Sequence, residues 1–257
     1  MKTLLAELLV LATGVSSSFN AGTAITDITG PAAEASTCPS CHAPHILLTL
    51  AVRQVNLMGY ANPGQVAGGV HMRLRARAFA FQERNDTTGD VGKHFAFVSA
   101  DMGMASDLVT KKVIEELDGI LGAGVYTVDN LCISGTHTHS GPAGFLQYTL
   151  FQVTSLGFVN ESFTAFVGGI AKAVAQAHEN LAPAKLSLRE GELEGANRNR
   201  SPTSYLLNPE SERARYDADT DLNMALLRLD PEGAAPTHLF HHLGPAFLPF
   251  IYFDLTL

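Results

Sequence analysis

Apolar residues in this chain follow two spacings, one typical of strands and one typical of helices. Five segments are predicted as strands: residues 70–81, 94–100, 125–134, 184–190 and 222–229. In the first of them apolar and polar residues alternate, which places Arg73, Arg75 and Arg77 together on one basic face. Alternation of this kind predicts a strand that buries only one of its two faces.

Two longer segments have the spacing of amphipathic helices. Residues 104–121 carry apolar residues at helical spacing and are followed by Gly122, which favours a helix end. Residues 160–181 are predicted as a second helix, with Asn160 as N-cap and Pro183 beyond the end, although two glycines inside it are unfavourable. Because strands alternate with helices, the sequence predicts an α/β fold, a layered mixed β-sheet domain with flanking helices.

Composition narrows the classes of function. The chain has 257 residues, 46% of them hydrophobic and 16% charged, so it can bury a sizeable core. Its formal net charge is −8 and it has no long basic run, so nucleic acid is not an expected partner. With three cysteines, at least one is unpaired or the chain is not a disulfide scaffold.

The first 20 residues are similar to a secretory signal peptide. Lys2 precedes a mostly apolar run that ends in small residues, but Glu7 interrupts it, and a short amphipathic helix is the alternative. Glycosylation sequons begin at Asn85, Asn160 and Asn199, which is compatible with export. No later apolar stretch reaches about 18 residues. We therefore expect a secreted or extracellular protein, or one at a membrane surface, without a transmembrane span.

Candidate chemistry lies in the run SGTHTHS at residues 134–140. It follows the predicted strand 125–134, and in extended backbone His137 and His139 would project to the same side. Neutral imidazoles at such a place can hold zinc, or hydrogen-bond a substrate or a water. The alternative is a pair of exposed, hydrogen-bonded histidines, and the spacing by itself does not decide between the two.

Five runs occur in this order along the chain: ITDITGPAAE (25–34), VNLMGYANPGQVAGGVHMRLRARAFAF (55–81), FVSADMGM (97–104), ISGTHTHSGPAGFLQYTLF (133–151) and NRNRSPTSYLLNPESERARYDADTD (197–221). Together they resemble the N-terminal part of the neutral ceramidase family. Long runs in fixed order are more specific than a short motif. The resemblance covers residues 25–34 and 55–230, and it implies that residues 22–230 are part of a catalytic domain.

The resemblance implies roles for five residues. His137 matches the family's first zinc ligand, and His139 matches an active-site histidine that contacts the substrate or its bound water. Arg200 faces the same site in the family and is expected to act in catalysis and substrate binding together with His139. Gly30 lends its backbone to the substrate pocket. The backbone carbonyl of His71 matches a calcium ligand, so zinc and calcium are the expected cofactors.

The activity implied by the resemblance is zinc-dependent hydrolysis of the amide bond of ceramide, which releases sphingosine and a free fatty acid. Zinc lowers the pKa of a bound water to about 7 and stabilises charge on the carbonyl oxygen. The expected partner is ceramide in membranes or lipid assemblies. Asp101 is expected to be structural, because the family does not use that position as a zinc ligand.

The sequence also departs from the family. Motifs that hold the family's second zinc histidine, its later glutamate and tyrosine ligands and its active serine are absent, and His241 and His242 lack the pattern around that second histidine. Zinc sites in proteins use about four ligands. We therefore expect a catalytically inactive fragment that is incomplete at its C-terminal side. The alternative is a non-catalytic ceramide-binding fragment.

Two segments do not fit the resemblance. Residues 35–54 are predicted to be an insertion, either a loop or retained intron sequence. They contain CPSCH at 38–42, which matches the haem attachment signature and, together with His45, would also allow a zinc knuckle; a haem- or metal-binding protein is thus a further alternative. We expect no haem, because an insertion explains the run better. Residues 231–257 form an atypical tail with no clear period.

Overall fold

Two units make up the chain, one up to Ala182 and the other from Pro183 onwards. The computed structural model describes residues 18–30, 33–35, 52–195, 198–231 and 237–242. The predicted leader lies outside the described residues except for its last three positions. CPSCH at 38–42 and His45 also lie outside the described residues. The structure therefore does not describe the residues on which the haem and zinc-knuckle alternatives rest.

The described part of the first unit contains a mixed sheet and three helices. The strands of this unit are β1 (Ser18–Asp27), β2 (Ala33–Ala35), β3 (Val52–Gln54), β4 (Arg75–Arg84), β5 (Val91–Ala100) and β6 (Leu131–Gly135). Its helices are α1 (Asp107–Leu121), α2 (Thr149–Ser155) and α3 (Asn160–Glu179). Strands β6, β5, β4 and β1 lie side by side in that order. The β5–β6 pair is parallel, and the β4–β5 and β1–β4 pairs are antiparallel.

One face of this sheet is covered by helices. Along β4 the alternate residues Ala76, Ala78 and Ala80 are fully buried, and their small side chains let a helix lie close to the strand. The helices fill the layer with larger apolar side chains, Val109, Val113 and Leu117 from α1 and Phe166, Ile170 and Val174 from α3. This layering confirms the predicted α/β fold with a mixed sheet and flanking helices.

The strand predicted over residues 125–134 is shorter in the structure, where β6 begins at Leu131. The side chain of Asn130 closes a turn in front of it. Its Oδ1 accepts from the Thr127 N–H at 2.6 Å, and its Nδ2 donates to the Val125 carbonyl at 2.9 Å. Side-chain bonds of this kind offer the backbone an alternative to the ladder, which is why the apolar pattern overestimates the strand.

One predicted helix cap is wrong. Helix α1 has a conventional start, in which the Ser106 hydroxyl accepts from the Val109 N–H at 3.3 Å. Asn160, however, is the first helical residue of α3 and not its N-cap. Val159 holds the capping position and makes no side-chain bond, and its N–H donates to the Gly144 carbonyl at 2.8 Å. A tertiary backbone bond sets this helix start.

The two glycines inside α3 have different surroundings. Gly169 lies against the end of β1, where its carbonyl accepts from the Thr26 hydroxyl at 2.6 Å. A Cβ on Gly169 would lie 2.5 Å from Ile28 Cγ2 and 2.6 Å from the Asp27 carbonyl oxygen. A Cβ on Gly168 would meet nothing closer than 3.9 Å. Close packing therefore requires glycine at the second position and not at the first.

Strands β2 and β3 lie at the two ends of the insertion predicted at 35–54, which includes the last residue of β2 and all of β3. Their antiparallel register runs from the pair Ala33–Gln54 to the pair Ala35–Val52. The chain therefore enters and leaves residues 36–51 at neighbouring points. An insertion at this place would leave the flanking strands in register, and the insertion itself stays a prediction.

The second unit contains an antiparallel run of strands. These are β7, which begins at the last residue of the first unit (Ala182–Glu192), β8 (Asn223–Pro231) and β9 (Thr237–His242). Two short helices lie between β7 and β8 in sequence, α4 (Pro202–Leu206) and α5 (Glu210–Arg213). Strands β7 and β8 match the predictions at 184–190 and 222–229. Part of the tail predicted at 231–257 thus pairs as β9, and its residues beyond 242 lie outside the described ranges.

A pair of histidines joins helix α3 to the sheet. The ring centroids of His94 on β5 and His178 on α3 are 5.0 Å apart. The amide Nε2 of Gln82 lies 2.7 Å from His94 Nε2, and the Tyr126 hydroxyl lies 3.1 Å from His178 Nδ1. The Gln82 amide nitrogen can only donate, which favours a neutral imidazole at His94. Burial lowers the pKa of each histidine, and the neighbouring His178 lowers the pKa of His94 further.

We expect the free energy of unfolding to decrease as the pH falls below about 6.5. The pKa of both histidines in the folded chain lies below the ordinary value of 6.5, so the unfolded chain takes up protons first, despite the opposing effect of Glu179 on His178. Urea titrations across this pH range measure the slope. His94→Gln should flatten it and the exposed His71→Gln should not; equal slopes in both variants would contradict the assignment.

Candidate functional site

The His-x-His run lies at the carboxyl end of the parallel pair β5–β6. Beyond β6 the Thr136 N–H donates to the Ala100 carbonyl at 2.9 Å, and the His137 N–H donates to the Met102 carbonyl at 3.1 Å. A Cβ on Gly135 would lie 2.8 Å from the Met102 carbonyl oxygen, so this close approach requires glycine. In α/β sheets, the carboxyl ends of parallel strands are the common place for ligand binding.

His137 is held through one ring nitrogen. Its Nδ1 lies 2.6 Å from the Gly103 carbonyl oxygen. Because a carbonyl oxygen only accepts, Nδ1 carries a proton, and in the neutral imidazole Nε2 then keeps its lone pair. A backbone carbonyl on one nitrogen is the usual outer partner of a metal-ligating histidine, where it fixes the tautomer and the ring orientation. The side chain could therefore ligate a metal ion through Nε2.

His139 lies next to His137, with ring centroids 4.8 Å apart and ring planes at 70°. Both residues are half-buried, which does not match a pair of fully exposed histidines. The geometric reason predicted for their proximity is wrong, because β6 ends at Gly135 and His137 has a left-handed φ of 60°. A tight turn, and not an extended strand, brings the two imidazoles together.

A loop far away in sequence forms another side of the site. The ring of Tyr60 contacts His139, with centroids 4.4 Å apart and planes at 85°. A Cβ on Gly59 would lie 2.4 Å from His139 Cγ, so the imidazole rests on the glycine backbone. The sequence gives no role to these two residues. They lie in one of the runs that carry the family resemblance, but that run does not identify what they contact.

The other predicted site residues differ in their local surroundings. Gly30 has a φ of 65°, and a Cβ there would lie 3.2 Å from Ala165 Cβ on α3, so the glycine is closely packed. His71 is exposed in the bend before β4. Arg200 is exposed in the second unit, between β7 and α4. The functional roles of these residues stay predictions.

The described residues meet only part of the requirement for zinc. Among the side chains that the structure describes, at residues 19–30, 55–195 and 198–230, no three His, Cys, Asp or Glu come together in a way that could hold a metal ion. The fixed tautomer of His137 suits one ligand, and His139 stands beside it. A protein zinc site uses about four ligands, so these imidazoles fit a part of such a site and not the whole.

Asp101 has the contacts of a structural residue. Its Oδ2 accepts from the Arg75 N–H at 2.9 Å, and its Oδ1 pairs with the Arg77 guanidinium at 3.0 Å. The Asp101 N–H donates to the Arg75 carbonyl at 2.9 Å. The carboxylate is thus engaged in holding the segment after β5 against β4, which agrees with the structural role expected for it.

Asp101→Asn is expected to lower the free energy of unfolding by about 1–2 kcal/mol, since it removes a charge-assisted bond between largely shielded groups. Glu115→Gln is the matched control, because Glu115 pairs with Lys112 on the exposed surface of α1 and should cost less than about 0.5 kcal/mol. Denaturant unfolding of both variants measures the difference. Equal losses would show that Asp101 contributes no more than a surface ion pair.

Comparison with known proteins identifies the family of this chain. A family described as "Neutral/alkaline non-lysosomal ceramidase, N-terminal" matches residues 48–240. Neutral ceramidase 3 of Arabidopsis thaliana is 50% identical over 202 residues, 79% of this chain and 24% of that protein. Neutral ceramidase A of Dictyostelium discoideum is 42% identical over 220 residues, 86% of this chain and 27% of that protein.

A solved structure supports the same family. The crystal structure of neutral ceramidase from Pseudomonas aeruginosa superposes with a TM-score of 0.70 at 33% identity, covering 86% of this chain and 31% of that chain. The chain spans about a quarter of the length of the curated relatives above. The family match covers most of the chain and includes both histidines. This chain therefore belongs to the neutral/alkaline non-lysosomal ceramidase family.

Proposed function

We propose that the protein to which these residues belong hydrolyses the amide bond of ceramide, releasing sphingosine and a free fatty acid. One observation carries the proposal: two half-buried imidazoles, His137 and His139, lie 4.8 Å apart at the carboxyl end of a parallel strand pair, in a chain of the ceramidase family. A tautomer fixed by the Gly103 carbonyl suits His137 for a metal rather than for a surface role.

Zinc is the cofactor that we propose, with Nε2 of His137 as one ligand. When bound, zinc supplies a Lewis acid and an activated water. His139 stands beside that nitrogen, where an imidazole can hydrogen-bond the substrate or hold a proton during amide cleavage. The remaining ligands are proposed to come from outside the described residues, among which no three metal-binding side chains come together. Calcium, on the backbone carbonyl of His71, is a second proposed ion.

Two further residues are proposed for substrate binding. Arg200 carries a planar guanidinium, which suits an anionic or polar head group. Gly30 has a positive φ and no side chain, so its backbone can approach a bound substrate closely. The substrate that we propose is ceramide presented by membranes or lipid assemblies.

A chimera tests the proposal. The matching segment of this chain replaces the corresponding segment of neutral ceramidase 3 from Arabidopsis thaliana, with which it is 50% identical. We expect the chimera to release fatty acid from a fluorescent ceramide, and a zinc chelator to stop the release. The unmodified Arabidopsis protein is the control. A folded chimera without activity, beside an active control, would contradict the proposal.

The 257 residues by themselves are expected not to hydrolyse ceramide, and the alternative is that they bind it without turnover. The reason is the ligand count, since the described residues bring no three metal-binding side chains together. Sphingosine release and ceramide binding are measured on the same purified chain with added zinc. Release would contradict the expected inactivity, and the absence of both binding and release would contradict the ceramide-binding alternative.

We propose that the protein is exported and acts at the cell exterior or on membrane surfaces. None of the described helices is long and apolar enough to cross a bilayer. The support for export is the similarity of residues 1–20 to a signal peptide. Fusion of these residues to a reporter tests it, with secretion of the reporter as the expected result and intracellular retention as the contrary one.

A further inference from the structure

The imidazole of His139 is confined by three neighbours. Its ring lies on the backbone of Gly59, where a Cβ would be 2.4 to 2.7 Å from three ring atoms. The Tyr60 ring stands perpendicular to it at 4.4 Å, and the His137 ring lies 4.8 Å away. The Nε2 atom of His139 is shielded from solvent. The ring can therefore turn only if one of these neighbours moves.

The loop that carries two of these neighbours is firmly anchored. The buried side chain of Asn56 donates through Nδ2 to the carbonyls of Asn62 and Gln65, both at 2.9 Å. The Met58 N–H donates to the Gly141 carbonyl at 3.0 Å, just beyond the His-x-His run. The Asn56 bonds thus hold the loop to residues later in the same loop, and the Met58 bond holds it to the segment that carries His139.

We propose that residues 56–60 are a positioning element for the proposed amide hydrolysis, in which Tyr60 and Gly59 fix the orientation of the His139 imidazole. The inference rests on the proposed function, since it assigns His139 to the chemistry and these two residues to its alignment. Tyr60 acts through His139 and is a positioning residue. The residue is 67% exposed, so its contact with the imidazole is not a by-product of core packing.

Because Tyr60 is largely exposed, its role in orienting His139 can be tested separately from a role in stability. Tyr60→Leu removes the aromatic face but leaves the backbone bonds of the loop, so the variant should unfold at the same temperature as the parent chain. Tyr60→Phe keeps the ring and loses only the hydroxyl. Because the contact is between rings, we expect Tyr60→Phe to preserve the orientation of His139 and Tyr60→Leu to release it.

Nuclear magnetic resonance of the imidazole C–H signals in the 257-residue chain tests the inference without any activity. The His139 signals are assigned by their loss in His139→Gln. We expect them to move in Tyr60→Leu and to stay near their original positions in Tyr60→Phe, while signals of the distant His94 stay fixed in both. His139 signals that do not move in Tyr60→Leu, or that move equally in both variants, would overturn the proposal.

The role of Gly59 can be tested with its own pair of matched variants. Gly59→Ala places a methyl group inside the imidazole, so the ring must turn away, whereas Gly68→Ala in the next part of the loop meets nothing within 4 Å. We expect the His139 signals to shift in the first variant only. Equal spectra for the two would contradict the role of Gly59 even if Gly59→Ala were less stable, because the comparison is made on the folded fraction.

Kinetics in the Arabidopsis chimera extends the test to catalysis. We expect Tyr60→Leu to lower kcat about 10- to 100-fold with little change in KM, and Tyr60→Phe to retain most of kcat, since misalignment of a catalytic group costs rate rather than binding. An inactive parent chimera would contradict the proposed function and leave the spectroscopic result standing. A Tyr60→Leu chimera with full activity would contradict the positioning role alone.

Discussion

His137→Ala in the chimera is expected to lower kcat/KM for ceramide by more than about 100-fold. The loss of an outer partner of a ligating histidine already costs 10- to 100-fold, so removal of the ligand itself should cost more. Bound zinc per chain should fall together with activity. The measurements are fatty acid release and metal content of the purified variant, made on the same preparation.

His71→Ala is the matched control for this variant. It removes the same type of side chain at an exposed position. The calcium role proposed for His71 uses only the backbone carbonyl, so activity and zinc content should stay near those of the parent. If His137→Ala kept its zinc and its activity, the imidazole at 137 would not be a ligand, and the tautomer fixed by Gly103 would have to serve another purpose.

Gly169→Ala is expected to destabilise the first unit by about 2–3 kcal/mol. The added methyl would overlap the Asp27 carbonyl oxygen and Ile28, and a backbone atom cannot move aside as a flexible side chain can. The overlap also pushes the helix away from the Thr26 hydroxyl, which donates to the Gly169 carbonyl. Denaturant unfolding followed by circular dichroism measures the loss.

Gly168→Ala makes the same chemical change one residue earlier in the same helix. Its new methyl group has no neighbour within 3.9 Å, so the higher helix propensity of alanine should stabilise the chain by about 0.5–1 kcal/mol. The two variants are therefore expected to differ in sign. Stabilisation by both would show that α3 and β1 are not in close contact at Gly169.

The arrangement of elements could be predicted from the sequence where local periodicity decides it. The alternate alanines of β4 and the apolar stripes of α1 and α3 appear in the structure as one buried layer. The strand predicted at 70–81, however, begins only at Arg75, and Phe79 and Phe81 are buried on its other face, so the prediction of a single buried face is wrong. Predictions failed where a side chain or a distant backbone group overrides the local pattern. Asn130 shortens β6 through its own hydrogen bonds, and the Gly144 carbonyl sets the start of α3.

The candidate site, too, could be predicted from the sequence only in part. His137 and His139 could be identified because a recognisable run surrounds them, although the extended geometry assumed for them is wrong. Contacts made across the chain carry no local signal. The bond from His137 to the Gly103 carbonyl and the packing of Tyr60 on His139 join segments far apart in sequence, and no spacing rule contains that information.

The pairing of β2 with β3 decides where this polypeptide can tolerate changes in length. Because Ala35 and Val52 are opposite each other, a change in the number of residues between them would leave the register of the β2–β3 pair unchanged. The entropic cost of a longer excursion grows slowly, by about 0.6 kcal/mol for each doubling. An affinity tag or a fluorescent label could therefore be introduced between these two residues without displacing the histidines at 137 and 139.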